Sequence, residues 1–238
     1  MDTIGYTTLS RMTGLAREMD TVANNIANMS TTGYRREGVI FAEYVQDVGP
    51  GQPSLSMGTP VGRVSDLSQG NLTRTNGTFD LAIEGPGFFL IAAPDGERLT
   101  RAGAFTPNDA GELVTPDGYP LLDEGGAPVF VPPDAAGVAV AADGTLSADG
   151  VPLGRIGLYE PVDPLELARQ AGVMFDAPGG IQPIENGRML QGFVEESNVN
   201  PVVEIARMIE VQRAYELGQG FLDKEDERVR SALRTLTS

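Results

Sequence analysis

A seam of residues stepping alternately by three and four recurs at both ends of this chain. Near the C-terminus it runs Met208, Val211, Tyr215, Gly218, Leu222, Glu225, Val229, Ala232, Leu236, and near the N-terminus Met12, Leu15, Met19, Val22, Ile26, Met29. Such steps average 3.5 residues, the spacing that keeps one stripe of an α-helix turned toward a partner helix. A stripe of this kind is apolar surface that has to be covered, and each end supplies a cover for the other. Asn200 and Pro201 predict where the second helix starts: the Asn side chain accepts from first-turn amides, and Pro at the first helical position loses only an N–H that would go unpaired. Carried to Leu236, that helix would extend about 50 Å at 1.5 Å per residue. Two amphipathic helices packed on a globular core are the alternative reading.

Between the ends the period changes. The first helix is expected to stop near Met29, because Ser30, Thr31, Thr32 and Gly33 follow and Gly accepts the left-handed conformation that closes a helix. Tyr34 to Val45 reads as extended or irregular, with Tyr34, Phe41, Tyr44 and Val45 as apolar anchors. The Gly/Pro/Ser-rich run from Val48 to Pro60 reads as a linker or extended crossing. Beyond it lie short apolar runs such as Phe88 to Ile91, separated by Asp95-Gly96, Asp109-Ala110-Gly111, Asp117-Gly118, Asp123 to Gly126, Asp143-Gly144 and Asp149-Gly150, which suit the positive φ angles of hairpin turns. A short helical turn is expected at Pro164 to Gln170. The fold class is therefore α+β: paired terminal helices, residues 1–33 and 197–238, an extended linker, 34–64, and a central antiparallel β domain, 65–196.

Charge and composition then exclude functions. The net charge is −16, of which residues 49–196 carry −13, so the ends are near neutral and the middle repels its own kind. A phosphate backbone is bound by neutralising it, which argues against a nucleic-acid partner. No apolar run approaches the roughly 18 residues of a membrane span, and the N-terminus lacks the basic and apolar regions of a cleavable secretory signal. With no Cys and no His, the best nucleophile and the usual general base are both missing, and Lys224, the only lysine, sits in an acidic stretch. The Asp/Gly turns lack the spacing of calcium loops. No enzyme, metal or cofactor is expected. An adhesive or carbohydrate-acting β domain would carry more aromatic surface than 6% aromatic content with no Trp.

Several stretches carry a resemblance. ANNIANMSTTGYRREGVIF at 23–41 and ESNVNPVVEIARMIEVQRAYELGQG at 196–220 resemble the terminal signatures of bacterial flagellar rod and hook proteins. QGNLTRTNGTFDLAIEGPGFF at 69–89, LTRAGAF at 99–105 and GELVTPDG at 111–118 are similar to that family's β-domain core. About 27 residues separate Phe41 from Gln69-Gly70, so the chain resembles the short proximal rod subunits of the F type, with the distal rod subunit as the alternative. The resemblance implies a non-enzymatic subunit of the basal-body rod, the drive shaft that transmits motor torque. It implies export without a cleavable signal through the flagellar type III apparatus, and assembly in the periplasm with copies of itself and other rod proteins. A head-to-tail contact that does not close on itself generates a helical filament. Met12, Leu15, Met19, Val22 and Ile26 are expected to meet Met208, Val211, Tyr215, Leu222 and Val229, while Gln212, Arg213 and Glu216 face adjacent subunits. Asn25, Asn28, Asn198 and Asn200 are candidates for subunit contacts or for helix capping. A soluble, discrete coiled-coil dimer is the remaining alternative.

Overall fold

The computed structural model describes residues 2–46, 55–184 and 187–236. The chain divides into two compact units that it enters alternately: Met1–Ala27, Glu37–Val64 and Asn200–Ser238 make the first, and Asn28–Arg36 with Ser65–Val199 the second.

The first unit is built on two helices, α1 (Asp2–Ala27) and α2 (Pro201–Leu236). Asn200 caps α2 as expected, its Oδ1 accepting from the amides of Val202 at 3.1 Å and Val203 at 3.3 Å. Helix α1 ends at Ala27, two residues before Met29, which is 42% exposed and takes no part in a seam. Three points fix how the helices run. Asn25 meets Glu204, Glu18 meets Arg207, and Met12 lies against Gly218. Residue numbers fall along one helix as they rise along the other, so the helices are antiparallel. Val22 and Val211 are buried between them at 4% and 2% exposure.

The stretch read as an irregular segment and linker carries two long strands, Glu37–Gln46 and Leu55–Ser65, paired as a two-stranded sheet. Part of the Gly/Pro/Ser run, residues 48–54, lies outside the described residues. The remainder does not behave as a tether. Its sequence lacks the polar and apolar alternation by which a strand covered on one face is read. Tyr34 is an anchor at 2% exposure, whereas Phe41 stands 45% exposed on the ribbon.

The second unit is antiparallel throughout the paired strands. Its main sheet has six, in the order Ala168–Arg169, Met174–Asp176, Gly96–Thr100, Phe88–Ala93, Leu158–Pro161, Ile181–Pro183. The Phe88–Ile91 run has an apolar residue at every position because both faces of its strand are covered. Phe89 and Ile91 point into a core with Leu81, Leu113, Leu146 and Ile156, and Phe88 and Leu90 into a second with Leu99, Leu122 and Phe175. The Asp/Gly signals fall at turns as expected. At Asp149-Gly150 both residues have positive φ, 51° and 81°, as the mirror-image hairpin turn requires. The helical turn expected at Pro164–Gln170 is a 3₁₀ turn, Pro164–Glu166, capped by Asp163.

Candidate functional site

The face of α2 turned away from α1 carries exposed apolar residues. Val202 is 77% exposed, Ile205 50% and Ile209 44%, while Leu217 and Phe221, also exposed, lie toward the α1 side, where they line a groove with Thr7, Met12 and Leu15. At 100° per residue Val202, Ile205 and Ile209 fall within about 60° of one another and lie roughly opposite Val211. Gln212, Arg213 and Glu216 are exposed on the same helix. The expectation missed the apolar stripe itself, because the heptad seam on the other side drew the reading toward α1.

The seam is covered unevenly. Met12, Val22 and Val211 are buried, whereas Leu15, Met19, Ile26, Met208, Tyr215 and Leu222 are half-buried. Glu225 interrupts it and accepts from Arg228 Nε at 2.5 Å. Beyond that break Val229 is 36% exposed. Gly218 suits its place: a Cβ there would come 3.0 Å from Met12 Cγ, while one at Gly220 would meet nothing within 4 Å. Arg207 ties the helices together, its guanidinium donating to Glu18 and to Glu210; the bond to Glu18 holds its pKa above the usual value.

The four asparagines sit at chain crossings. Asn25 is fully buried; its Nδ2 donates to Glu37 O at 2.9 Å and to Glu204 Oε2 at 3.1 Å, and its Oδ1 accepts from Glu37 N at 2.9 Å. One amide thereby joins the end of α1, the start of the ribbon and the first turn of α2. Asn28 accepts from Thr31 Oγ1 in the turn that leaves α1. Asn198 accepts from Arg36 N at 2.6 Å and donates to Asp66 O and Ser68 O, each at 2.9 Å. Asn25 and Asn198 thus serve their own chain, a role that helix capping alone did not anticipate.

In the second unit, three stretches that carry the family resemblance meet around one carboxylate. Glu195 is fully buried, and so is Arg35; Arg101 is 3% exposed. Glu195 Oε1 accepts from Arg35 Nη2 at 2.5 Å and from Gly70 N at 2.7 Å, and Oε2 accepts from Arg101 Nη1 at 3.2 Å. Arg101 also donates to Gly85 O at 2.7 Å. Gly33 N donates to Glu195 O at 2.7 Å, in backbone so tight that a Cβ on Gly33, at φ +71°, would come 2.3 Å from Ala102 N. Arg169 donates to Arg35 O and lies over Tyr34, 4.3 Å from the ring centre. One acid serves two buried guanidiniums, and burial, outweighing Glu195, pushes Arg101 down to about 10.

Little here could do covalent chemistry. The Asp side chains of the β turns are occupied by backbone donors: Asp123 Oδ1 by the amides of Gly125 and Ala127, Asp143 Oδ1 by that of Thr145. Among the described residues no group of three acids is placed to hold a metal ion, and no helix is long and apolar enough to cross a membrane.

Three family models match in chain order. Residues 6–35 match the flagella basal body rod protein model, residues 82–148 the flagellar hook protein FlgE/F/G D1 domain, and residues 190–235 the flagellar basal body rod FlgEFG protein C-terminal domain. The chain is 41% identical to the flagellar basal-body rod protein FlgF of Caulobacter vibrioides, over 99% of this chain and 98% of the relative. It is 38% identical to the FlgF of Mesorhizobium japonicum, over 98% and 97%. Identity falls to 32% with the flagellar basal-body rod protein FlgG of Buchnera aphidicola subsp. Schizaphis graminum, over 88% and 90%. Helical ends, a turn-rich β middle, the ordered family matches and near-complete coverage agree: the chain belongs to the flagellar basal-body rod proteins and, within them, to the F type.

Proposed function

We propose that this rod subunit polymerises through its terminal helices. As a member of its family it is a structural component of the basal-body rod, assembled with other rod proteins, and not an enzyme. In this reading α1 and α2 supercoil as a short antiparallel coiled coil, with the helical ends, residues 1–33 and 197–238, lining the shaft. The acidic β domain, 65–196, is the other part of the subunit, and the ribbon over Glu37–Val64 goes with the helices. The subunit reaches the periplasm through the type III export apparatus, and as part of the proximal rod it transmits motor torque.

The observation that carries this reading is the exposure of Val202, Ile205 and Ile209 on a helix whose opposite face is buried at Val211. An apolar stripe of that size is surface awaiting a protein partner, and a neighbouring rod subunit is the partner that family membership supplies. Gln212, Arg213 and Glu216 add polar contacts at its edge. The experiment is the triple variant V202S/I205S/I209S. Its denaturation midpoint in urea should match the wild type, because exposed substitutions change stability by no more than about 0.5 kcal/mol. It should be missing from isolated basal bodies, and cells relying on it should not swim. Normal incorporation of the variant would overturn the reading.

A further inference from the structure

We propose that the cluster of Arg35, Glu195 and Arg101 is a completion lock, in which the segment Asn28–Arg36, synthesised early, seats into the β module only after Glu195 is in place. The inference stands on the second unit alone and does not depend on polymerisation. Arg35 lies 160 residues from Glu195 in sequence, and Arg101 lies 94 from it. Both guanidiniums are buried, and among the described residues the nitrogens Arg35 Nε, Arg35 Nη1 and Arg101 Nε have no hydrogen-bond partner. Among the described residues no second acid is bonded to either, so Glu195 is the carboxylate that makes room for the second cation. Without it, seating Arg35 would bury two like charges together, which low-dielectric surroundings do not tolerate.

Glu195 with Arg101 alone is a balanced pair, so the C-terminal strand can dock first. That strand, Phe193–Glu195, pairs with Leu72–Arg74, and its flanks are tied down by Thr75 N to Gly192 O and Glu196 N to Asn71 O. The N-terminal segment then closes over it through Gly33 N to Glu195 O, Arg36 N to Asn198 Oδ1 and Asp66 N to Arg36 O.

The test is a charge-balance cycle on the full chain. Glu195→Gln keeps the shape but raises the buried charge by one, and should lower the folding equilibrium constant by about 100-fold or more. Adding Arg35→Met to that variant returns the buried charge to its wild-type value. R35M/E195Q should therefore regain at least about tenfold over E195Q, a non-additive rescue. If the double variant is less stable than E195Q, the residues act only as separate structural contacts and the lock is overturned. E195Q failing to fold while R35M/E195Q folds supports it. A second arm uses pulse-labelling hydrogen exchange during refolding of the wild type: the amides of Thr75 and Glu196 should gain protection before those of Gly33 and Arg36. The reverse order would also overturn the proposal.

Discussion

Asn25 binds together separate parts of the first unit, because three of its hydrogen bonds reach two segments, Glu37 and Glu204. Asn25→Ala removes all three in a buried site, and an unsatisfied buried polar group costs about 1–3 kcal/mol. The expected loss is about 3 kcal/mol in urea denaturation, with the β module's own signals unchanged. Asp66 offers a pH test. Its carboxylate accepts from Ser68 N, and hydrogen bonding to Ser68 holds its pKa below the usual value. A depressed folded pKa means the stabilisation is complete above the unfolded value, about 3.9, and disappears as pH falls through the folded value. The difference in denaturation midpoint between wild type and Asp66→Asn should therefore be constant from pH 7 to about 5 and vanish toward about pH 2. A difference that grows with acid would contradict the assigned direction. Glu195 shows what residue-level reading misses. Each partner looks like an ordinary charge in its own stretch, and nothing local announces that residues 160 apart share one buried site.

Among elements, α2 was the most legible and the ribbon the least, for physical reasons. Capping is a local interaction, so Asn200-Pro201 marks the start of α2 without knowledge of the rest of the chain. Hairpin turns are equally local, and the Asp/Gly signals fall where the backbone turns. The ribbon strands Glu37–Gln46 and Leu55–Ser65 are flanked by a Gly/Pro/Ser-rich run and read as a crossing. The seam was legible; the apolar stripe behind it was not, since heptad matching selects one face. Two glycines of α2 separate folding from assembly. Gly220→Ala meets no neighbour and should stabilise the isolated subunit by up to about 1 kcal/mol through helix propensity, read as a rise in thermal midpoint. Gly218→Leu would drive a branched side chain into Met12, which is already 3.0 Å from a Cβ, and should cost about 1–3 kcal/mol.

For the whole molecule, the matched family models cover both ends and part of the middle, yet the compact units do not follow the boundaries a linear reading suggests. Residues 28–36 belong with the β module, while the ribbon that follows belongs with the helices. A chain lacking residues 200–238 should accordingly keep protected amides in the β module, with Leu81 N to Gly103 O and Leu113 N to Val129 O intact, and should be absent from isolated rods. Loss of protection at those amides would show that the module leans on α2 for its stability. The chain passes from one unit to the other four times, after Ala27, Arg36, Val64 and Val199. No single cut releases either unit as a continuous peptide, so genetic exchange between relatives cannot trade one of them as a cassette. Growth in length is easiest where a tip such as Asp149-Gly150 can be extended without disturbing any of those passages.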